Sequence, residues 1–385
     1  VVPANLTPGT HQLTVRLNSV NGTTDDNSLN DEFTKTLTAA LGVAERIPMI
    51  EHFSSSTCPP CVNVNVNMLN FCNNNPGRFT YTKYQMNWPG SGDPYYTQEG
   101  GVRRYYCNVN GVPNLILDGE DYSTSMTQSD FDEHADRPAL MDIRGSFRVS
   151  GNSIIVKADI MPYIDVDARV YISVNEKVTT GNVGTNGETS FHHIFMKMLP
   201  DAQGTEVSLT ASTLQHLEYS CNMSSTFVEE MNDLEVAIWV QEYNTREVFN
   251  SRFAYEYTNI HPYPVQNLSL TGNGAMLVAA WNAPSQGNPT GYRVYVNGQV
   301  AVENTTSLSY SFSGATGFNT VGVQALYGNG SNSVTVFSGI SYDPVLQSYL
   351  IEAVANPTIG GIVRGGGTYY EGQDCTLTAV ANTDY

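Results

Sequence analysis

Positive charge is scarce in this chain. Its 385 residues include only 18 Lys and Arg against 37 Asp and Glu, a formal net charge of −19. Binding nucleic acid takes concentrated Lys and Arg to neutralise phosphates, so a nucleic-acid partner is excluded, and adhesion to anionic lipid is opposed on the same ground. Charged residues of both signs reach just 14%, below the ~25% of an ordinary globular chain. No apolar run approaches the roughly 20 residues that cross a bilayer as a helix, so no transmembrane segment is expected. Neither a G-x-S-x-G, an H-E-x-x-H nor a phosphate-cradling glycine loop occurs, which leaves hydrolase and nucleotide chemistries without support and no cofactor expected. The first residues lack the basic and apolar stretches of a signal peptide, so we expect a removed leader or a fragment. Tyr385 stops inside a strand-like pattern, which fits the same expectation.

What is present points to β-structure. Hydrophobic residues make up 41%, enough to exclude wholesale disorder, with 33 Gly, 23 Tyr and abundant Asn, Thr and Ser. That balance fits exported, β-rich surface proteins, and at ~150 residues per domain the length predicts two to four domains. Residues 1–40 hold two strands, the remnant of a β-sandwich or an arm. The first shows the alternation of Leu13, Val15 and Leu17 with polar neighbours that marks a half-buried strand. Between them an acidic loop offers Asp25, Asp26, Asn27 and Asp31, either as oxygens for Ca²⁺ or as a solvated turn.

Residues 41–138 read as mixed α/β: a buried strand IPMIEHF, the turn STCPPC, a helix over VNVNVNMLNFCNNN, a strand RFTYTKYQM, and the strand unit GVPNLILDGE. Residues 139–260 are strand throughout, ending in the hairpin DLEVAIWVQEYNTREVFNSRFAYE, and predict an antiparallel sandwich. After the stiff Pro262-Tyr263-Pro264 linker, residues 261–340 predict a second sandwich anchored by Trp281. Trp281, Pro284, Tyr292, Tyr295, Ala325 and Tyr327 give this stretch a resemblance to a fibronectin type III domain, although Asn319 falls near where that family carries a Tyr. Residues 341–385 look like the opening half of an internalin B-type repeat, a partial β repeat that is cut short.

Six cysteines stand at 58, 61, 72, 107, 221 and 375, and only Cys58 and Cys61 form a CxxC. They fall between a predicted strand and a predicted helix. A helix N-terminus stabilises thiolate over thiol, which makes Cys58 the candidate nucleophile and Cys61, one turn on, the resolving partner. Pro113, preceded by Val112 and followed by the apolar run Leu115 to Leu117, is the proline expected in cis beside the pair, aiming a backbone edge at an extended substrate. His52, six residues before Cys58, can assist proton transfer from the second cysteine or be a hydrogen-bonded strand residue. The CPPC pair can equally be a resting structural disulfide, and Cys72 and Cys107 can pair or stay as buried thiols. No second CxxC or HxxxH completes a zinc site, so no metal is expected. The Trp88 to Tyr96 loop is either the wall of a peptide groove or packing.

FSSSTCPPC, YQMNWPGSGDPYY, NGVPNLILDG and FHHIFMKMLPDAQGT together resemble the outer membrane protein 28 related family of Bacteroidetes surface proteins over roughly residues 40 to 258. The resemblance implies a thioredoxin-like domain followed by a β-sandwich, and export to the cell surface or outer membrane. Thr57 departs from oxidoreductive thioredoxins, which carry Trp before the first Cys. The expected fold class is therefore multidomain α/β plus all-β: a thioredoxin-like fold with flanking immunoglobulin- or fibronectin-like sandwiches. The expected function is thiol-disulfide exchange on exported protein or peptide substrates through Cys58 and Cys61. The alternative is a non-enzymatic surface binding or scaffold protein, with surface-protein or glycan partners and a structural CPPC disulfide.

Overall fold

A computed structural model describes residues 6–19, 31–257, 260–344, 348–370 and 373–383. Asp25, Asp26 and Asn27 of the acidic loop lie outside the described residues. The alternating N-terminal segment forms a hairpin, β1 (Gly9–Arg16) and β2 (Glu32–Ala39), paired antiparallel with Leu13 opposite Lys35. Leu13 and Val15 are exposed on it.

Next comes β3 (Met49–Ser54), buried at every position, which feeds the CPPC turn and α1 (Cys61–Asn74). β4 (Thr80–Gln85) returns parallel to β3, placing Lys83 beside His52. α2 (Gln98–Tyr106) starts where the Thr97 hydroxyl accepts from Gly100 N–H. β5 (Asn114–Leu117) and β6 (Glu120–Ser123) follow, with β5 antiparallel to β3. α3 (Gln128–Ala135) opens on a capping box between Thr127 and Asp130, which satisfies orphan helix donors at both ends of the motif.

The remaining strands of this half are β7 (Met141–Ser150), β8 (Ser153–Pro162), β9 (Val166–Thr179), β10 (Phe191–Leu199), β11 (Thr205–Leu209), β12 (Gln215–Asn222), β13 (Leu234–Gln241), β14 (Val248–Phe253) and β15 (Tyr255–Glu256). Nine strands join in one sheet in the order β14-β13-β9-β10-β4-β3-β5-β6, with β11 added along β9. A second sheet, β12-β8-β7-β15, covers the β9–β13 half of it. Between them lies the main core, including Ile143, Ile160, Val170, Ile172, Ile194 and Ile238.

This corrects the expected fold class. The molecule is predominantly β, at 49% strand and 9% helix, and is not a thioredoxin-like α/β fold. The strands between residues 49 and 123 do not close a sheet of their own. Ile194 of β10 pairs in parallel with Lys83 of β4, and the sheet runs on through β10, β9, β13 and β14 across residue 138. The physical reason is the open edge of β4: unpaired backbone groups recruit a further strand, and the local α/β pattern of the sequence holds no trace of which distant strand that is.

The second expected sandwich stands as a β-sandwich. Its strands are β16 (Gln266–Asn273), β17 (Met276–Asn282), β18 (Gly291–Val296), β19 (Gln299–Thr305), β20 (Ser309–Ser313), β21 (Gly317–Leu326) and β22 (Val336–Tyr342). They form sheets β16-β17-β20 and β19-β18-β21-β22, a fibronectin type III-like arrangement. Trp281 is buried with its ring 5.8 Å edge-on from Tyr292. Asn319 is buried as well. Its side chain accepts from Ala315 N–H at 3.0 Å and donates to the Ala315 and Gly317 carbonyls at 2.7 and 3.1 Å, tying down the entry to β21. The C-terminal stretch forms two small sheets, β23 (Ser348–Ile351) with β25 (Gly367–Tyr370), and β24 (Gly361–Arg364) with β26 (Thr378–Ala381).

Candidate functional site around the CPPC turn

The site grows from the end of β3. Cys58 N–H donates to the Ser55 carbonyl and Cys61 N–H to the Cys58 carbonyl, each at 3.1 Å, so the chain tightens into a turn that leads straight into α1. Cys58 and Cys61 are bridged as a disulfide across that turn, with Cα atoms 5.4 Å apart. Opposite them, Cys58 Sγ lies 3.5 Å from the Val112 carbonyl oxygen, and the Val112–Pro113 peptide is cis. The fold thus brings Cys58, Cys61 and the Pro113 segment together from positions about fifty residues apart.

Both sulfurs are covered. Cys58 is 1% exposed and Cys61 fully buried, while Pro59 and Pro60 between them face solvent. The β9–β10 loop is hydrogen-bonded to the backbone of the same turn. Asn186 N–H donates to the Ser56 carbonyl at 2.9 Å, and the Asn186 side chain reaches the Cys58 carbonyl at 3.4 Å and Glu188 at 2.6 Å. The Glu188 carboxylate in turn accepts from Asn65 Nδ2 of α1 at 2.9 Å on both oxygens. Gly184 sits so close that a Cβ there would come within 2.4 Å of the Ser56 carbonyl oxygen.

The Trp88 to Tyr96 loop closes the other side. Thr57 Oγ1 donates to the Pro89 carbonyl at 2.6 Å, so the residue before Cys58 spends its hydroxyl on this loop. Asp93 accepts from the N–H groups of Ser56 and Tyr95, each at 2.8 Å, and its burial raises its pKa despite them. Tyr95 stacks on Phe227 and donates to Glu229, so the loop bridges the CPPC turn and the sandwich behind it.

His52 lies on the face of β3 that also carries Ser54, whose hydroxyl meets Asn65 of α1. Its Nδ1 is 2.6 Å from the Tyr81 hydroxyl, and Nε2 is buried with no hydrogen-bond partner among the described residues. Burial first, and then the nearby Lys83 charge, hold its pKa well below the usual histidine value, so the imidazole is neutral at physiological pH. Burial also lowers Lys83 to about 8, with Glu188 as the largest opposing influence. No hydrogen bond among the described residues joins His52 to either cysteine of the pair. Cys72 and Cys107 are free thiols on opposite faces of the sheet, the first packed with Met68 and Phe131, the second with Phe53 and Trp239. Burial pushes the Cys72 thiol up to about 12 and that of Cys107 higher still, which leaves both inert.

Sequence reasoning missed Lys83, Asp93, Asn186 and Glu188. The Thr185-Asn186-Gly187-Glu188 run reads only as a turn. Nothing in it announces that it will bond to the backbone of a turn more than a hundred residues earlier.

The chain is a mostly β protein built from sandwich units, one of them fibronectin type III-like. No protein-family model matches it, and no curated protein does either. A crystal structure of a protein from Agrobacterium tumefaciens is similar at a TM-score of 0.41 and 16% identity, over 57% of this chain and 99% of its own. Fibronectin(III)-like modules of CbhA from Clostridium thermocellum give a TM-score of 0.19 and 10% identity, over 53% of this chain and 95% of theirs. Likeness this remote says nothing about activity, and the fold rests on the strand order above.

Proposed function

We propose that this is an extracytoplasmic protein that exchanges disulfides with thiols of protein or peptide partners through Cys58 and Cys61. The observation that carries the reading is the bridged pair at the start of α1, with Cys58 Sγ against the Val112 carbonyl. A substrate thiolate attacks Cys58; its sulfur bonds to Cys58 as the Cys58–Cys61 bond breaks, and Cys61 leaves as a thiolate and takes up a proton. A second substrate thiolate then attacks the substrate sulfur of the mixed disulfide, closing a substrate disulfide and expelling Cys58. Two electrons and two protons pass from substrate to the pair. In the reverse direction Cys61 gives up its proton as its thiolate attacks the mixed disulfide, a proton that His52, bonded to Tyr81 and held neutral by burial, is not placed to take, and the backbone edge at Pro113 holds the extended substrate. Export is supported by the composition, poor in Lys and Glu and rich in Gly, Tyr, Asn, Thr and Ser. The resemblance to outer membrane protein 28 related proteins would place the chain at the cell surface.

A second reading has its own observation. Burial of both sulfurs favours a surface binding or scaffold protein with protein or glycan partners, in which the bridge only fastens the turn. The two are separated by mixing the oxidised protein with a dithiol peptide. Exchange predicts an oxidised peptide and free thiols at 58 and 61, abolished by Cys58→Ser, with a midpoint potential above about −300 mV. A lower potential together with an unreacted peptide establishes the structural bridge instead.

A further inference from the structure

Asp159, His216 and His261 come from three separate segments and converge at the β12-β8-β7-β15 sheet, not the one whose β3 feeds the CPPC turn. Asp159 lies on β8 and His216 directly opposite it on β12, as an antiparallel cross-strand pair. His261 begins the linker into the fibronectin type III-like module. The Asp159 carboxylate stands between the two rings, Oδ1 2.5 Å from His216 Nδ1 and Oδ2 2.9 Å from His261 Nε2. One possible ligand atom from each residue lies within 4.8 Å of the others, and this is the sole such cluster among the described residues. Asp159 and His261 are fully buried, whereas the His216 side chain is 35% exposed.

We infer that these three residues form a Zn²⁺ site that fastens the linker to the sandwich. Two imidazoles and one carboxylate are the donor set of a borderline cation that takes nitrogen and oxygen in tetrahedral geometry, rather than of Ca²⁺ or Mg²⁺, which want oxygen alone. The back of the site is prepared. His261 Nδ1 is 2.7 Å from the Ser146 hydroxyl, so with a cation in place an Nδ1–H donated to that hydroxyl would leave Nε2 free to bind it. Such an outer hydrogen bond fixes the ring tautomer and orientation that a metal needs. Replacing the protons shared between the carboxylate and the rings by one cation needs only small movements, since zinc ligands stand about 2 Å from the metal. The half-exposed His216 side leaves the fourth position to water.

The local charges agree. Lys157 shares the Asp159 face of β8, but its ammonium is engaged by the Tyr263 hydroxyl at 3.1 Å and Glu218 at 3.5 Å, so it does not stand free against a cation. Tyr263, two residues beyond His261, has its carbonyl bound at 2.6 Å by the Tyr327 hydroxyl of the module. A metal at His261 therefore acts on the join between the two sandwiches.

The test uses the full oxidised chain, with free thiols blocked so that cysteine cannot bind metal, stripped with chelator and titrated with ZnCl₂ by calorimetry. We expect about one Zn²⁺ per chain, with a rise in melting temperature. His216→Ala, half-exposed and so tolerated by the fold, abolishes both. Ser146→Ala weakens uptake ~10-fold or more, while His11→Ala, distant on the N-terminal hairpin, changes nothing. Uptake well below one equivalent by the unaltered chain, or full uptake by His216→Ala, overturns the site and leaves a hydrogen-bonded triad alone.

Discussion

Buried charge sets the tone at the scale of single residues. Glu51 and Arg103, both 1% exposed at their side chains, form a two-point ion pair at 2.5 and 2.8 Å, and Arg103 also donates to Gln241 at 2.6 Å. Its guanidinium is flanked by the rings of Tyr171 and Tyr106 at 4.4 and 4.7 Å. Lys83 is different, because no comparable carboxylate offsets its burial and its pKa falls to about 8. In the unfolded chain it holds its proton to about 10.4. Between pH 8 and 10 the unfolded state therefore binds more protons than the folded one, and stability rises with pH by up to about 1.4 kcal/mol per unit. Below pH 8 both states are charged and the full burial cost remains. Lys83→Met is expected to be more stable than the natural chain at pH 7 and to lose this slope, as read by urea denaturation from pH 7 to 10. Parallel pH profiles for the two proteins refute the assignment. None of this was legible beforehand: Lys83 sits in a strand-like run, and the sequence does not say which strand residues lose all contact with water.

Among the elements, the β9–β10 loop decides how the disulfide meets its surroundings. Hydrogen bonds donated by Asn186 to the Cys58 carbonyl and accepted by Glu188 from Asn65 hold it onto the CPPC turn and α1, and Gly184 lets the backbones approach. Gly184→Ala puts a methyl group 2.4 Å from the Ser56 carbonyl oxygen, a contact that the loop relieves only by moving. Reduction of the Cys58–Cys61 bond by dithiothreitol is expected to speed up about tenfold, a barrier drop of ~1.4 kcal/mol. An unchanged rate means that the loop does not control access. The strand and helix flanking CPPC were legible from hydrophobic runs and the closing Asn, Pro and Gly. The loop's resting place was not, because a turn's sequence fixes its local bend and not the surface on which it rests.

Across the whole molecule, the fibronectin type III-like module is seated rather than tethered. Asp142 Oδ2 accepts from Thr335 N–H at 3.0 Å, the Tyr163 hydroxyl donates to the Thr335 carbonyl at 3.0 Å, and the Phe337 ring meets Tyr163 edge-on at 5.1 Å. Phe337 is 6% exposed within a small cluster that also holds Met161 and Val334. Phe337→Ala is expected to destabilise the module by about 3 kcal/mol or more and to hasten proteolytic cleavage within residues 260–264. Cleavage at the natural rate argues that this cluster does not hold the join.

Composition, alternation and spacing determined much on their own: a strongly acidic charge balance, strands in the right places, a sandwich anchored on Trp281, and one CxxC between a strand and a helix. These are local properties, written in neighbours along the chain. Tertiary structure alone decided that β4 continues into β10 to make a nine-stranded sheet, that a distant loop fastens onto the backbone of the CPPC turn, and that Asp159 meets His216 and His261. Each depends on which open edge or buried polar group is satisfied by which remote segment. That choice is made by the free energy of the assembled core and leaves no periodic mark in the sequence.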